Sequence, residues 1–134
     1  MTLPVGLESV AGAQELYDLF GYWPAFHDAE VLKLSVCTDK PSSLVVHTWE
    51  MTNKINTQGY YELTKHVVVE FCLEGIVNVN LADLWDHSIL LDLGVDKTEN
   101  GFRMSFSAAY GLSGTIETQG LSLRVTPGKP SHGV

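Results

Sequence analysis

From residue 30 onward the apolar residues recur at every second position, and that period constrains the fold of this chain more than any other feature. In residues 30–38, Leu32, Leu34 and Val36 alternate with Lys33 and Ser35. Residues 43–51 carry two sets, Leu44, Val46 and Thr48 against Val45, His47 and Trp49. In residues 63–74, Val67, Val69, Phe71 and Leu73 oppose His66, Val68, Glu70 and Cys72. The pattern returns with Phe102, Met104, Phe106 and Ala108, and again with Leu121, Leu123 and Val125. Strict alternation gives each strand one buried and one wetter face, which is the habit of antiparallel sheets. The links are short: Asp39-Lys40-Pro41-Ser42, Asn100-Gly101 and Gln119-Gly120. They have turn chemistry, and they leave no room for the crossovers that parallel strands need.

The N-terminal part departs from this period. In residues 9–20, Val10, Ala13, Leu16, Tyr17 and Phe20 are spaced three and four apart, which predicts an amphipathic helix. Gly12 weakens its first turn by about 1 kcal/mol relative to Ala. Gly21 suits the position just past the helix end, and Pro24 keeps Trp23 out of the helical region. A second, single helical turn is expected over residues 80–86, with Asn80 as its cap and Asp83 three positions on. The predicted fold class is α+β: one twisted antiparallel sheet of about six strands, with the N-terminal helix packed on one face. Residues 1–126 are expected to form one domain, and residues 127–134, with Pro127, Gly128, Pro130 and Gly133, a flexible tail.

Composition narrows the function. The 134 residues hold 8 Lys plus Arg and 16 Asp plus Glu, a net charge of −8. That balance argues against nucleic acid and against an anionic membrane surface as partners. No apolar run reaches the ~18 residues a spanning helix needs, and no basic residue precedes Lys33 to start a secretory signal. The expected location is the cytoplasm. Cys37 and Cys72, 35 positions apart with no CxxC, are expected as small buried hydrophobes rather than a disulfide.

The densest polar group is Phe26-His27-Asp28-Ala29-Glu30. One reading is an acid/base enzyme using His27 with Asp28 or Glu30. A metal site needs three or four ligands, and His47, His66, His87 and His132 show no ligand spacing, so no metal and no cofactor are expected. A corner motif weighs more: Asp28 accepts backbone N–H groups after a tight turn, and His27 holds the helix end against the first strand. Trp23, Pro24, Phe26, His27, Asp28 and Glu30 would then be structural. Gly111-Leu112-Ser113-Gly114-Thr115 lacks the last glycine of a nucleophile elbow and lies between strands, so it reads as a turn.

Between Lys65 and Lys97 there are six acids and no Lys or Arg. Trp85 among Asp83 and Asp86 has the composition of an anchored interface with a charged rim. Glu70, Glu74, Asp83, Trp85 and Asp86 are therefore the candidate partner-binding residues.

The order of motifs resembles a known family. A helix ends in Phe20-Gly21, followed by Tyr22-Trp23-Pro24-Ala25-Phe26-His27-Asp28-Ala29-Glu30-Val31. Then come His47-Thr48-Trp49-Glu50, His66-Val67-Val68-Val69-Glu70-Phe71 and Leu81-Ala82-Asp83-Leu84. This resembles the Immunity protein 50 family of bacterial polymorphic toxin systems, from the first helix to about Gly111. The stretch from Trp23 to Glu30 is its specific part, and Leu84-Trp85-Asp86-His87-Ser88 departs from the family's pattern. The resemblance implies a small cytoplasmic α+β protein that neutralises a cognate toxin by stoichiometric binding, with no catalytic residue. The acidic balance implies that such a toxin is basic.

Overall fold

The computed structural model describes residues 3–55, 57–59, 61–83 and 88–130. One helix, α1 (Ala13–Phe20), precedes six strands: β1 (Glu30–Ser35), β2 (Ser42–Ile55), β3 (Tyr61–Ala82), β4 (Ser88–Lys97), β5 (Phe102–Tyr110) and β6 (Ser113–Pro127). Every pairing is antiparallel. The strands form one sheet in the order β1-β2-β3-β6-β5-β4, which closes as a barrel where β4 returns to β1. The seam is short: Glu30 faces Ile89, and Val31 faces Ser88.

Register explains the core. Leu34, Leu44, Phe71 and Leu123 stand side by side across four strands, and so do Val31, Val46, Val69 and Val125. Both rows face inward, as the alternation requires. A shift between Val31 and Lys33 absorbs Leu32, so Lys33 points outward and Leu34 inward. Ala13, Leu16 and Phe20 of α1 complete the same cluster. The helix segment is tied to β6 by the Leu123 N–H, which donates to the Ala11 carbonyl at 2.7 Å. Gly21 ends α1 with φ 83° and donates its N–H to the Tyr17 carbonyl, as its position in the sequence implied.

Four expectations need correction. The helix starts at Ala13 rather than residue 9, because Gly12 has φ 89° and cannot sit inside an α-helix; the residues before it form turns. Asn80, Leu81 and Ala82 are not a capped helical turn. They finish β3 opposite Thr115, Gly114 and Ser113, and pairing with β6 satisfies the backbone groups that a cap would have served. Asp83 follows with φ 56°, and the rest of that expected turn, Leu84 to His87, lies outside the described residues. Gln119-Gly120 is not a turn either. The ladder runs straight through, with Gly120 opposite Glu74, so β6 is a long strand. Cys37 and Cys72 are free thiols, half-buried rather than buried.

Past Pro127 the chain is still held at its start, since the Gly128 N–H donates to the His66 carbonyl at 2.7 Å. Among the described residues no helix is long and apolar enough to cross a membrane.

Candidate functional site

The stretch from Trp23 to Glu30 is the bridge that closes the barrel. The Ala25 carbonyl takes a hydrogen bond from the Leu93 N–H at 3.4 Å, and the Asp28 N–H donates to the Leu90 carbonyl at 2.8 Å. The Leu90 N–H in turn donates to the Ala29 carbonyl at 2.9 Å. Phe26 and Asp28 both adopt left-handed conformations, φ 62° and 64°. Such a conformation is strained for a bulky residue. It persists because the Phe26 ring is buried edge-on against Phe71, with centroids 5.7 Å apart, and against Trp23 at 6.3 Å.

The polar half of the stretch faces out. The His27 side chain is 62% exposed and that of Asp28 45%. His27 Nδ1–H donates to the Leu91 carbonyl of β4 at 3.0 Å, so it braces the seam and not the helix end. Among the described residues the Asp28 carboxylate accepts no backbone N–H, contrary to expectation; Asp28 holds the corner through its own backbone N–H, which donates to Leu90. Among the described residues the Asp28 side chain meets only His27 Nε2, at 3.7 Å. That distance exceeds the ~2.6–3.2 Å reach of an acid/base pair.

Beside this corner lies a cleft of 290 Å³ lined by Tyr22, Phe26, His27, Asp28, Trp49 and Glu50, among others. Tyr22 donates its hydroxyl to Glu50 Oε2 at 2.6 Å. Burial, the hydrogen bond and the negative charge of Glu50 push the tyrosine pKa from 10.0 up to about 12, so it stays a neutral donor. Lys65 donates to the Phe20 carbonyl at 3.1 Å and approaches Glu50 Oε1 at 3.6 Å.

Glu30 turns the other way. On the outer face of the sheet His47 Nδ1–H donates to Glu30 Oε1 at 2.7 Å, and His47 Nε2 lies 3.0 Å from His66 Nδ1. The imidazoles stack, centroids 5.2 Å apart at 19°, and Trp49 covers them at 4.9 Å from His47 and 6.1 Å from His66. This packing leaves His47 only 6% exposed on the face that alternation assigns to solvent. Glu30 accepts from His47 Nδ1–H, and the other ring nitrogen of His47 is the one that meets His66 Nδ1. Burial first, then His47 and Lys129, lower the pKa of His66 below 6.5.

Folded His66 therefore binds its proton less readily than unfolded His66. Stability is full above about pH 6.5 and falls as the pH drops through the lowered folded value. Urea midpoints measured at about pH 7.5 and about pH 5 should differ, and His66→Gln should remove part of that difference. An unchanged difference in His66→Gln places the pH dependence elsewhere.

The structure does not gather the acids between Lys65 and Lys97 into one patch. Glu70 is half-buried on the outer face and lies 3.5 Å from Arg124. Glu74 is exposed further along β3, and Asp83 is exposed just past its end. From Glu70 to Ala82 a strand rises about 40 Å. Trp85 and Asp86 lie outside the described residues. Among the described residues no group of three or more His, Cys, Asp or Glu side chains could hold a metal ion.

The chain of Glu30, His47 and His66 was missed in the sequence because its members lie 17 and 19 positions apart. The available signal was parity: His47, Trp49 and His66 all occupy outward positions of neighbouring strands. Comparison with protein-family models, curated proteins and solved structures finds no match to this chain.

Proposed function

We propose that this chain is an immunity protein that neutralises a cognate basic toxin domain by binding it one to one. The carrying observation is the exposure of His27 and Asp28. The most specific stretch of the resemblance uses Phe26 and Ala29 to build the corner, and it leaves its polar side chains at the lip of a cleft. Polar groups that hold a fold are usually buried and satisfied, whereas the Asp28 carboxylate and the Nε2 edge of His27 are open to a partner, with only His27 Nδ1 used to brace the seam. The charge field fits. Exposed Glu74, Asp83, Asp92 and Asp96 form no ion pair with Lys or Arg among the described residues, while Lys65, Arg103 and Arg124 are each opposite a glutamate. A surplus of this sign speeds encounter with a basic surface and rejects acidic ones.

Co-expression with any toxin domain found encoded beside this chain's gene tests the proposal. Growth should be restored, and the two chains should co-elute as a one-to-one complex. Glu74→Lys with Asp83→Lys should slow association at low salt, with the effect shrinking as salt rises. Toxicity that persists without a complex overturns the proposal.

A second reading is an acid/base enzyme, and one observation favours it, the hydrogen-bonded chain of Glu30, His47 and His66. It differs from the pairing of His27 with Asp28 or Glu30 in that Glu30 serves His47 instead. The two readings separate at His66→Gln, which should leave toxin neutralisation intact if the chain of histidines is part of the fold's outer wall.

A further inference from the structure

We infer that the corner cleft receives an arginine side chain of the basic partner; this rests on the binding function proposed above. At 290 Å³ the cleft is at the lower limit of the ~300–1,000 Å³ of small-molecule pockets, a size suited to one long side chain. It is lined by the aromatic residues Tyr22, Phe26 and Trp49 and by two carboxylates, Asp28 and Glu50, with no Lys or Arg among the lining residues. The two acids are unequal. Glu50 already accepts from Tyr22 and has Lys65 at 3.6 Å. Among the described residues Asp28 has only the His27 ring, at 3.7 Å, so its charge is the one left for a ligand.

The chemistry selects a guanidinium. A carboxylate among aromatic residues offers bidentate hydrogen bonds and apolar contact together, and a planar, weakly hydrated cation uses both. An ammonium group is more strongly hydrated and has no plane to stack. An anion would meet two carboxylates. A divalent cation would find one free carboxylate where it needs six or more oxygens.

The probe is N-acetyl-arginine methylamide, titrated into the full chain while the Trp49 indole N–H is followed by NMR. The citrulline counterpart, of nearly the same shape but neutral, is the control. Saturable shifts at Trp49 are expected at a dissociation constant of about millimolar, with citrulline silent. Asp28→Asn should weaken binding about tenfold. Asn tolerates the left-handed backbone at this position, so the variant should keep the corner. Equal shifts from citrulline, or an unshifted Trp49, overturn the inference. The probe needs no toxin, so the outcomes separate: a toxin neutralised with Trp49 silent removes the arginine anchor and leaves the binding function standing. Specific arginine binding without neutralisation keeps the anchor and removes the toxin.

Discussion

Phe71→Ala is expected to destabilise the fold by about 3–5 kcal/mol, the range for removing a large ring from a closed core. Phe71 is fully buried at the middle of β3, between Leu44 of β2 and Leu123 of β6. Its ring also takes the edge of Phe26. The loss is therefore double. The four-strand row of Leu34, Leu44, Phe71 and Leu123 loses its largest member, and the left-handed Phe26 loses the surface that holds it. A barrel closes around such a gap poorly, because moving one strand inward disturbs the register of its neighbours. The melting temperature should drop by about 10–20 °C. A fall of less than ~1 kcal/mol in denaturant unfolding would mean that the corner and β3 do not share one core.

Much of this architecture is legible in the sequence because alternation is a direct record of which face is buried. Val67, Val69, Phe71 and Leu73 read as inward and are inward. Short links read as hairpins where a strand ends, as at Asn100-Gly101, where the Thr98 N–H donates to the Gly101 carbonyl at 2.8 Å. The closure is less legible. Alternation carries no information about which strand lies beside which: β6 pairs with β5 as a hairpin, but its place beside β3 comes from pairings that span dozens of residues. Local signals also yield to such pairings. Asn80 with Asp83 has the chemistry of a helix cap, yet Thr115 across the ladder offers Asn80 a strand partner. Gly120 has the chemistry of a turn, yet it lies in mid-strand with the Glu74 Cβ 3.4 Å from where its own Cβ would stand.

The candidate site divides the same way. The corner from Trp23 to Glu30 is visible as a polar cluster after a helix stop, and the structure places a cleft beside it. The partner of Glu30 is not visible from neighbouring residues. It follows from the β2–β3 hairpin, which sets Thr48 opposite Val67 and so brings His66 within reach of His47, and from β1, which sets Glu30 opposite His47. Register, and not sequence proximity, assembles the acid with the two imidazoles.

Gly12→Ala separates the local account of α1 from the tertiary one most sharply. Helix propensity alone assigns Ala an advantage of about 1 kcal/mol at a helical position. The opposite sign is expected here, a loss of roughly 2–4 kcal/mol, for two reasons that add. Gly12 caps the helix with φ 89°, a conformation that costs an alanine about 1–2 kcal/mol. Its Cβ would also stand 2.0 Å from the Leu123 carbonyl oxygen and 2.7 Å from the carbon behind it. Those atoms are backbone of β6, and the same residue is held against the helix segment by the bond from the Leu123 N–H to the Ala11 carbonyl. Relief therefore means pulling the start of α1 off the sheet. Gly21→Ala is the matched control. It has the same left-handed backbone, φ 83°, with nothing within 4 Å of the added carbon, so it should cost only the conformational part. The difference between the two variants in denaturant unfolding measures how closely α1 is seated on β6. Equal losses would remove the close approach, and a stabilised Gly12→Ala would show that the helix begins before Ala13.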